Sequence, residues 1–199
     1  MLLKKAAMFG LDARIALAIF GALSVISGAA LYSAIEESRA EQARQRIVET
    51  AKAVEQFLLD TGQMPSNYAG VSYNIAELID DPSLKGWSGP YIGYTVANTY
   101  NISSKGNPDF GFYLYRQTNA VLGTGTGSSS GTCTDVNDCG WWLKTHMASH
   151  ANPQAFALKL DEIIDGGDGK EKGKLRIHYH GGNTADPILF YYVMPVYSL

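Results

Sequence analysis

Three groups of residues in this chain have types and spacings that could do chemistry. Asp161, Asp165 and Asp168 sit among Gly166, Gly167 and Gly169, a mixture of carboxylates and permissive backbone that could give oxygen ligands to a hard cation such as calcium. The spacing does not meet the twelve-residue EF-hand rule, and turn chemistry alone accounts for Asp and Gly here equally well. Cys133 and Cys139 enclose a short polar segment. With no histidine at ligand spacing they make a poor zinc site and read as a local disulfide, provided the chain is exported. The third group is Asp12, a carboxylate at the border of a long apolar stretch, with Arg14 two residues on and Lys4 and Lys5 before it. An acid at the start of a membrane helix is costly unless a positive group meets it.

Other chemistry finds little support. His146 and His150 are four apart but lack the HExxH context, and His178 and His180 would share one strand face; surface histidines are the expectation. The chain has no P-loop or dinucleotide fingerprint, and no enzymatic activity is expected. The net charge of −3 and the lack of a basic cluster give no footprint for nucleic acid.

These groups need elements to position them. From Ile15 to Ile35 no residue is charged, and about twenty apolar residues suffice for a helix to cross a bilayer core. Lysines 4 and 5 place the short N-terminal end on the cytoplasmic side. Past Ile35 the sequence becomes charged but keeps Ala40, Ala43, Ile47, Ala51, Val54 and Leu58 at helical spacing. No proline or glycine lies between Gly28 and Gly62, so one helix is expected from about Phe9 to Leu59. Its first half is apolar all round and its second amphipathic, ending at Gly62 and Pro65.

Beyond it, Asn74 to Ile79 reads as a short helix with Asn74 as cap. Tyr94–Val96, Tyr100–Ser103 and Phe110–Arg116 read as strands. Residues 123–132 form a low-complexity loop, Asn152 to Ile164 a second helix, and Leu175–Tyr179 with Ile188–Val193 a final strand pair. The fold class is α+β: a long N-terminal helix, a transmembrane half plus an amphipathic half, packed on a C-terminal domain with an antiparallel sheet.

The N-terminal residues resemble a type IV prepilin. In that family a basic leader ends in a small residue and is removed by a dedicated peptidase. The new N-terminus is methylated, and the fifth residue after the cut is acidic. The resemblance implies a leader at 1–7, cleavage between Ala7 and Met8, a transmembrane and polymerisation segment at 8–35, an amphipathic continuation at 36–62 and a globular domain at 63–199. Asp12 takes the place of the fifth-residue acid. Ala7 stands where glycine is usual, Asp12 where glutamate is, and Arg14 adds a charge to a usually apolar stretch. Leu59-Asp60-Thr61-Gly62-Gln63-Met64-Pro65, Ala76-Glu77-Leu78 and Gly86-Trp87-Ser88-Gly89-Pro90-Tyr91 are similar to the start of the globular domain of the major pseudopilin of type II secretion, a similarity that fades after about Tyr94. The stretch from Leu158 to Arg176 is similar to the C-terminal part of some longer pilin-like proteins.

The resemblance implies a filament subunit whose partners are copies of itself, a prepilin peptidase and an inner-membrane assembly platform. It would reside in the bacterial inner membrane and then in a periplasmic or extracellular filament. On this reading the amine created at Met8 pairs with Asp12 and sets axial register. Arg14 is either an internal partner of Asp12 before assembly or an added register contact. Other readings are a secretion pseudopilin, a tip-located minor pilin, a single-pass anchor carrying a periplasmic binding domain, and a signal peptide cut near Ser27-Gly28-Ala29-Ala30.

Overall fold

A computed structural model describes residues 3–104, 107–123, 131–147 and 150–198. The chain divides into two units, Met1–Arg39 and Ala40–Leu199. Helix α1 (Leu3–Thr61) contributes to both. In the first unit every large apolar side chain from Ile15 to Ile35 is exposed, Val25 by 73%. A helix apolar on all sides and covered by nothing of its own is suited to lipid. By length and composition it can cross a membrane. Ser24 returns its hydroxyl to the Phe20 carbonyl at 2.8 Å, which satisfies its one polar group without water.

In the second unit α1 buries Ala40, Ala43, Ile47, Thr50, Ala51, Ala53, Val54 and Phe57 against the sheet. The alanines permit close approach. Thr50 enters the core because its hydroxyl bonds to the Arg46 carbonyl at 2.8 Å. The buried stripe ends on Phe57 rather than Leu58, which is only half-buried. At 100° per residue the face running through Ile47, Thr50 and Val54 reaches Phe57 next. Gly62 closes the helix in the left-handed conformation (φ 72°), its N–H donating to the Leu58 carbonyl.

The strands are β1 (Asn67–Ala69), β2 (Ser72–Tyr73), β3 (Thr95–Asn98), β4 (Asn101–Ser104), β5 (Asn107–Thr118), β6 (Cys139–His146), β7 (Leu175–Tyr179) and β8 (Pro187–Pro195). They form an antiparallel sheet in the order β1-β2-β5-β6-β8-β7, with β4 also paired to β5 and β3 to β4. Helix α2 (Pro153–Asp165) starts at Asn152, whose Oδ1 accepts from the Ala155 N–H, and carries Pro153 in its first turn. Phe156, Ala157 and Leu160 of α2 join α1, Phe112 and Leu114 of β5, Leu143 of β6 and Ile177 of β7 in one core. Leu158 of the same helix is exposed.

The opposite sheet face is also covered. Leu122, Trp142, Ile188 and Phe190 make a second cluster with Tyr192 against it. The strap after β5 holds it in place: Asn119 accepts from Trp142 Nε1 through its side chain (3.2 Å) and from Arg176 Nη1 through its carbonyl (2.7 Å). Residues 124–130 of the low-complexity loop lie outside the described residues.

Four local readings change. The central strand β6 is not anticipated by the sequence, nor is the β1–β2 hairpin. The short helix at Asn74 is a 3-10 turn over Ile75–Leu78, and Asn74 does not cap it. Its amide instead donates to Glu77 at 2.9 Å. His178 is fully buried rather than on the surface, edge-on to Phe190 with ring centroids 6.5 Å apart.

Candidate functional site

Ala7 and Met8 fall in the opening turns of α1, whereas Met1 and Leu2 of the expected leader lie outside the described residues. Asp12 and Arg14 are exposed on the same uninterrupted helix. Two residues along an α-helix is a rotation of about 200°, so their side chains leave opposite sides and cannot meet. That geometry does not favour Arg14 as an internal partner of Asp12. Residues three and four away from either charge are uncharged.

The three aspartates do converge. Asp161 and Asp165, four apart on α2, share a face, and the turn after the helix returns Asp168 to them. One oxygen from each lies within 4.8 Å of the others. Gly166 (φ 75°) ends α2, its N–H donating to the Glu162 carbonyl, and the Gly167 N–H reaches the Asp161 carbonyl at 3.3 Å. Asp165 Oδ2 accepts from the Leu175 N–H at 2.6 Å, and Asp161 Oδ2 from the Gly169 N–H at 3.3 Å. A Cβ on Gly173 would stand 2.5 Å from Asp165 Oδ2 and 2.8 Å from Asp168 Oδ2, so only glycine leaves this space open.

Asp161 is 2% exposed, and its Oδ1 is buried without a hydrogen-bond partner. Burial pushes its carboxyl above the ordinary aspartate range; the Gly169 N–H opposes the shift, and the charges of Asp168 and Asp165 add to it. Among the described residues no lysine or arginine forms an ion pair with the trio. Three hard oxygen donors, one of them orphaned, fit a calcium-type ion.

Cys133 and Cys139 are bridged, with Cα atoms 5.8 Å apart. The bridge closes the strap where it re-enters the sheet: Cys139 pairs with Thr118, and the Thr118 N–H donates to the Gly131 carbonyl at 3.1 Å. The histidines do not assemble. His146 Nδ1 lies 3.5 Å from Asp186, and His150 stacks on Phe156 at 4.0 Å. An open cavity of about 380 Å³ is lined by Asn74, Glu77, Asp80, Asp81 and Thr99 among others. Its buried acid, Glu77, already accepts from the Ser66 N–H and hydroxyl and the Asn74 amide.

Trp87 to Tyr91 fasten the end of α1 to the domain. Trp87 Nε1 donates to the Glu77 carbonyl at 2.9 Å, the Ser88 hydroxyl meets the Asp60 carboxylate, and Tyr91 lies edge-on to Phe57 at 5.7 Å. Residues 30–116, which contain this fastening, match the family model described as type II secretion system protein G. The match supports a pilin- or pseudopilin-like family for this chain. The match runs from the apolar half of α1 through β5, past Tyr94 where the motifs legible by eye end. The rest of the sheet, the disulfide and the acidic loop lie outside it. No curated protein and no solved structure matches. The family supports a filament-subunit role, and its secretion-system setting with the apolar helix fits a membrane-anchored, periplasm-facing pseudopilin.

Proposed function

We propose that this chain is a structural subunit of a type IV-like filament, a pseudopilus of type II secretion in preference to a surface pilus. It has no catalytic role. A prepilin peptidase cuts between Ala7 and Met8, and the chain polymerises with copies of itself through residues 8–35, handled by an inner-membrane assembly platform. The observation that carries this reading is the single helix α1. Its first half is fully exposed and apolar, and its second half is the packing helix of a domain matching protein G. A plain signal anchor has no need for an acid at Asp12 or for a span continuous with the domain's own core helix.

Intact mass of the membrane-extracted protein tests it. The expected product lacks Met1 to Ala7 and carries one added methyl group; a full-length unmodified chain refutes the processing step. Asp12→Ala should insert normally yet be depleted from sheared filaments, and normal recovery there would refute its register role.

A separate observation, the orphaned Asp161 Oδ1, supports a second proposal: Asp161, Asp165 and Asp168 hold calcium. A bound ion would offset the mutual repulsion of the trio and fix the α2–β7 loop. Calorimetry on the intact protein should detect binding that Asp168→Asn weakens, and the absence of calcium heat in the wild type would refute it.

A further inference from the structure

Asp12 and Arg14 stand on opposite sides of one helix, about 3 Å apart along its axis. Apart from each other, neither has a charged residue within one turn, and the next charge after Arg14 is Glu36, about 33 Å away. Lys4 and Lys5 lie two turns before Asp12 and leave with the leader on the proposed cut. In hydrocarbon each of the two remaining charges is costly unless it meets an opposite one.

We infer that Arg14 of one copy pairs with Asp12 of the next, so that the two charges make each helix a head-to-tail connector. The inference rests on the filament reading and specifies its geometry. Charges on one face would neutralise each other or favour a closed, two-fold dimer. Charges on opposite faces give every copy one donor side and one acceptor side, a heterologous contact that repeats without closing. Because both charges lie at nearly the same level of the helix, neighbouring copies meet parallel, with an axial offset limited by the reach of the two side chains. The Met8 amine does not compete for this role. It sits one turn before Asp12 on the same face, and a carboxylate with two oxygens accepts from the amine and the guanidinium together. Arg14 also supplies what the amine lacks, a cation on the opposite side.

Two differently tagged full-length copies, co-expressed and co-purified from membranes in mild detergent, test the pairing. Arg14→Asp in both copies, or Asp12→Arg in both, should lower co-purification about tenfold, the scale of one close charge pair. One Arg14→Asp copy with one Asp12→Arg copy should recover it, because the two chains then alternate. Membrane extraction and Trp fluorescence establish that each variant inserts and that its globular unit folds. If Arg14→Asp does not insert, Arg14→Gln takes its place and should lose co-purification alike. Unchanged co-purification of the Arg14 variants, or no recovery in the mixed pair, overturns the inference. A variant that lowers insertion while leaving self-association intact also overturns it and assigns Arg14 to lipid phosphates. Wild-type copies that fail to co-purify at all would refute the filament reading instead.

Discussion

Replacing Cys133 and Cys139 together by serine removes a ring with a sequence separation of 6. Loop-closure entropy for so small a ring gives about 2.3 kcal/mol of stabilisation, acting through the unfolded chain. The native side should change little, since the Thr118–Cys139 pairing and the Thr118 to Gly131 hydrogen bond hold the base of the strap without the sulfurs. The whole effect should therefore be visible in equilibrium unfolding. For a unit of this size m in urea is about 2 kcal/mol/M, so the midpoint should fall by about 1 M. All three tryptophans, Trp87, Trp141 and Trp142, lie in the second unit, so fluorescence of the full chain in micelles follows that unit alone. Reducing the wild type should reproduce the serine variant. A midpoint unchanged by both treatments would refute the entropic account; a fall well beyond about 1 M would mean that the bridge holds the folded strap as well.

Phe57→Ala, at a fully buried site against Tyr91, should cost about 3–5 kcal/mol, read as a matching loss in urea unfolding. Gly140→Ala should also destabilise, since its Cβ would stand 2.6 Å from Tyr192 and 2.7 Å from Trp142 Nε1; overpacking of this kind costs about 1–3 kcal/mol, measured the same way. Asp161 gives a pH signature. Its carboxyl titrates above the ordinary aspartate value of 3.8, so the folded state binds its proton more tightly than the unfolded state. The ion-free protein should lose stability as pH rises through that raised value and regain it on acidification. Midpoints in chelator at several pH values should show this slope in the wild type but not in Asp161→Asn, and equal slopes would refute the assignment.

Long periodic elements were legible in the sequence because one face of each is buried and the other is not. The α1 stripe, α2 between Asn152-Pro153 and Gly166, and β5 at Phe112 to Tyr115 all follow this rule. Strand β6 does not. Trp141 packs into the helix-covered core and Trp142 into the strap-covered cluster, so both faces are apolar and the alternation that marks a strand is missing. His178 was misjudged for the same reason, since nothing in its own strand announces that the strap covers the face it occupies. At the candidate sites the residue types and spacings were readable: the aspartates, the cysteines, and Asp12 with Arg14. What the fold added was the orphaned oxygen of Asp161, a matter of who else is nearby.

Strand β8, the last of the sheet in chain order, lies between β6 and β7 and is, among the described residues, the only strand paired with β7. A chain made from its N-terminus onward therefore completes α1, with its lipid-suited half, long before the domain can close. Until residues 187–195 emerge, β7 has no strand of the sheet to pair with and β6 presents an open edge beside Trp142, the kind of edge that invites pairing with another chain. Synthesis arrested before Pro187 would leave an unclosed sheet behind the lipid-suited helix. Closure of the domain thus waits on β8, however early the helix is placed.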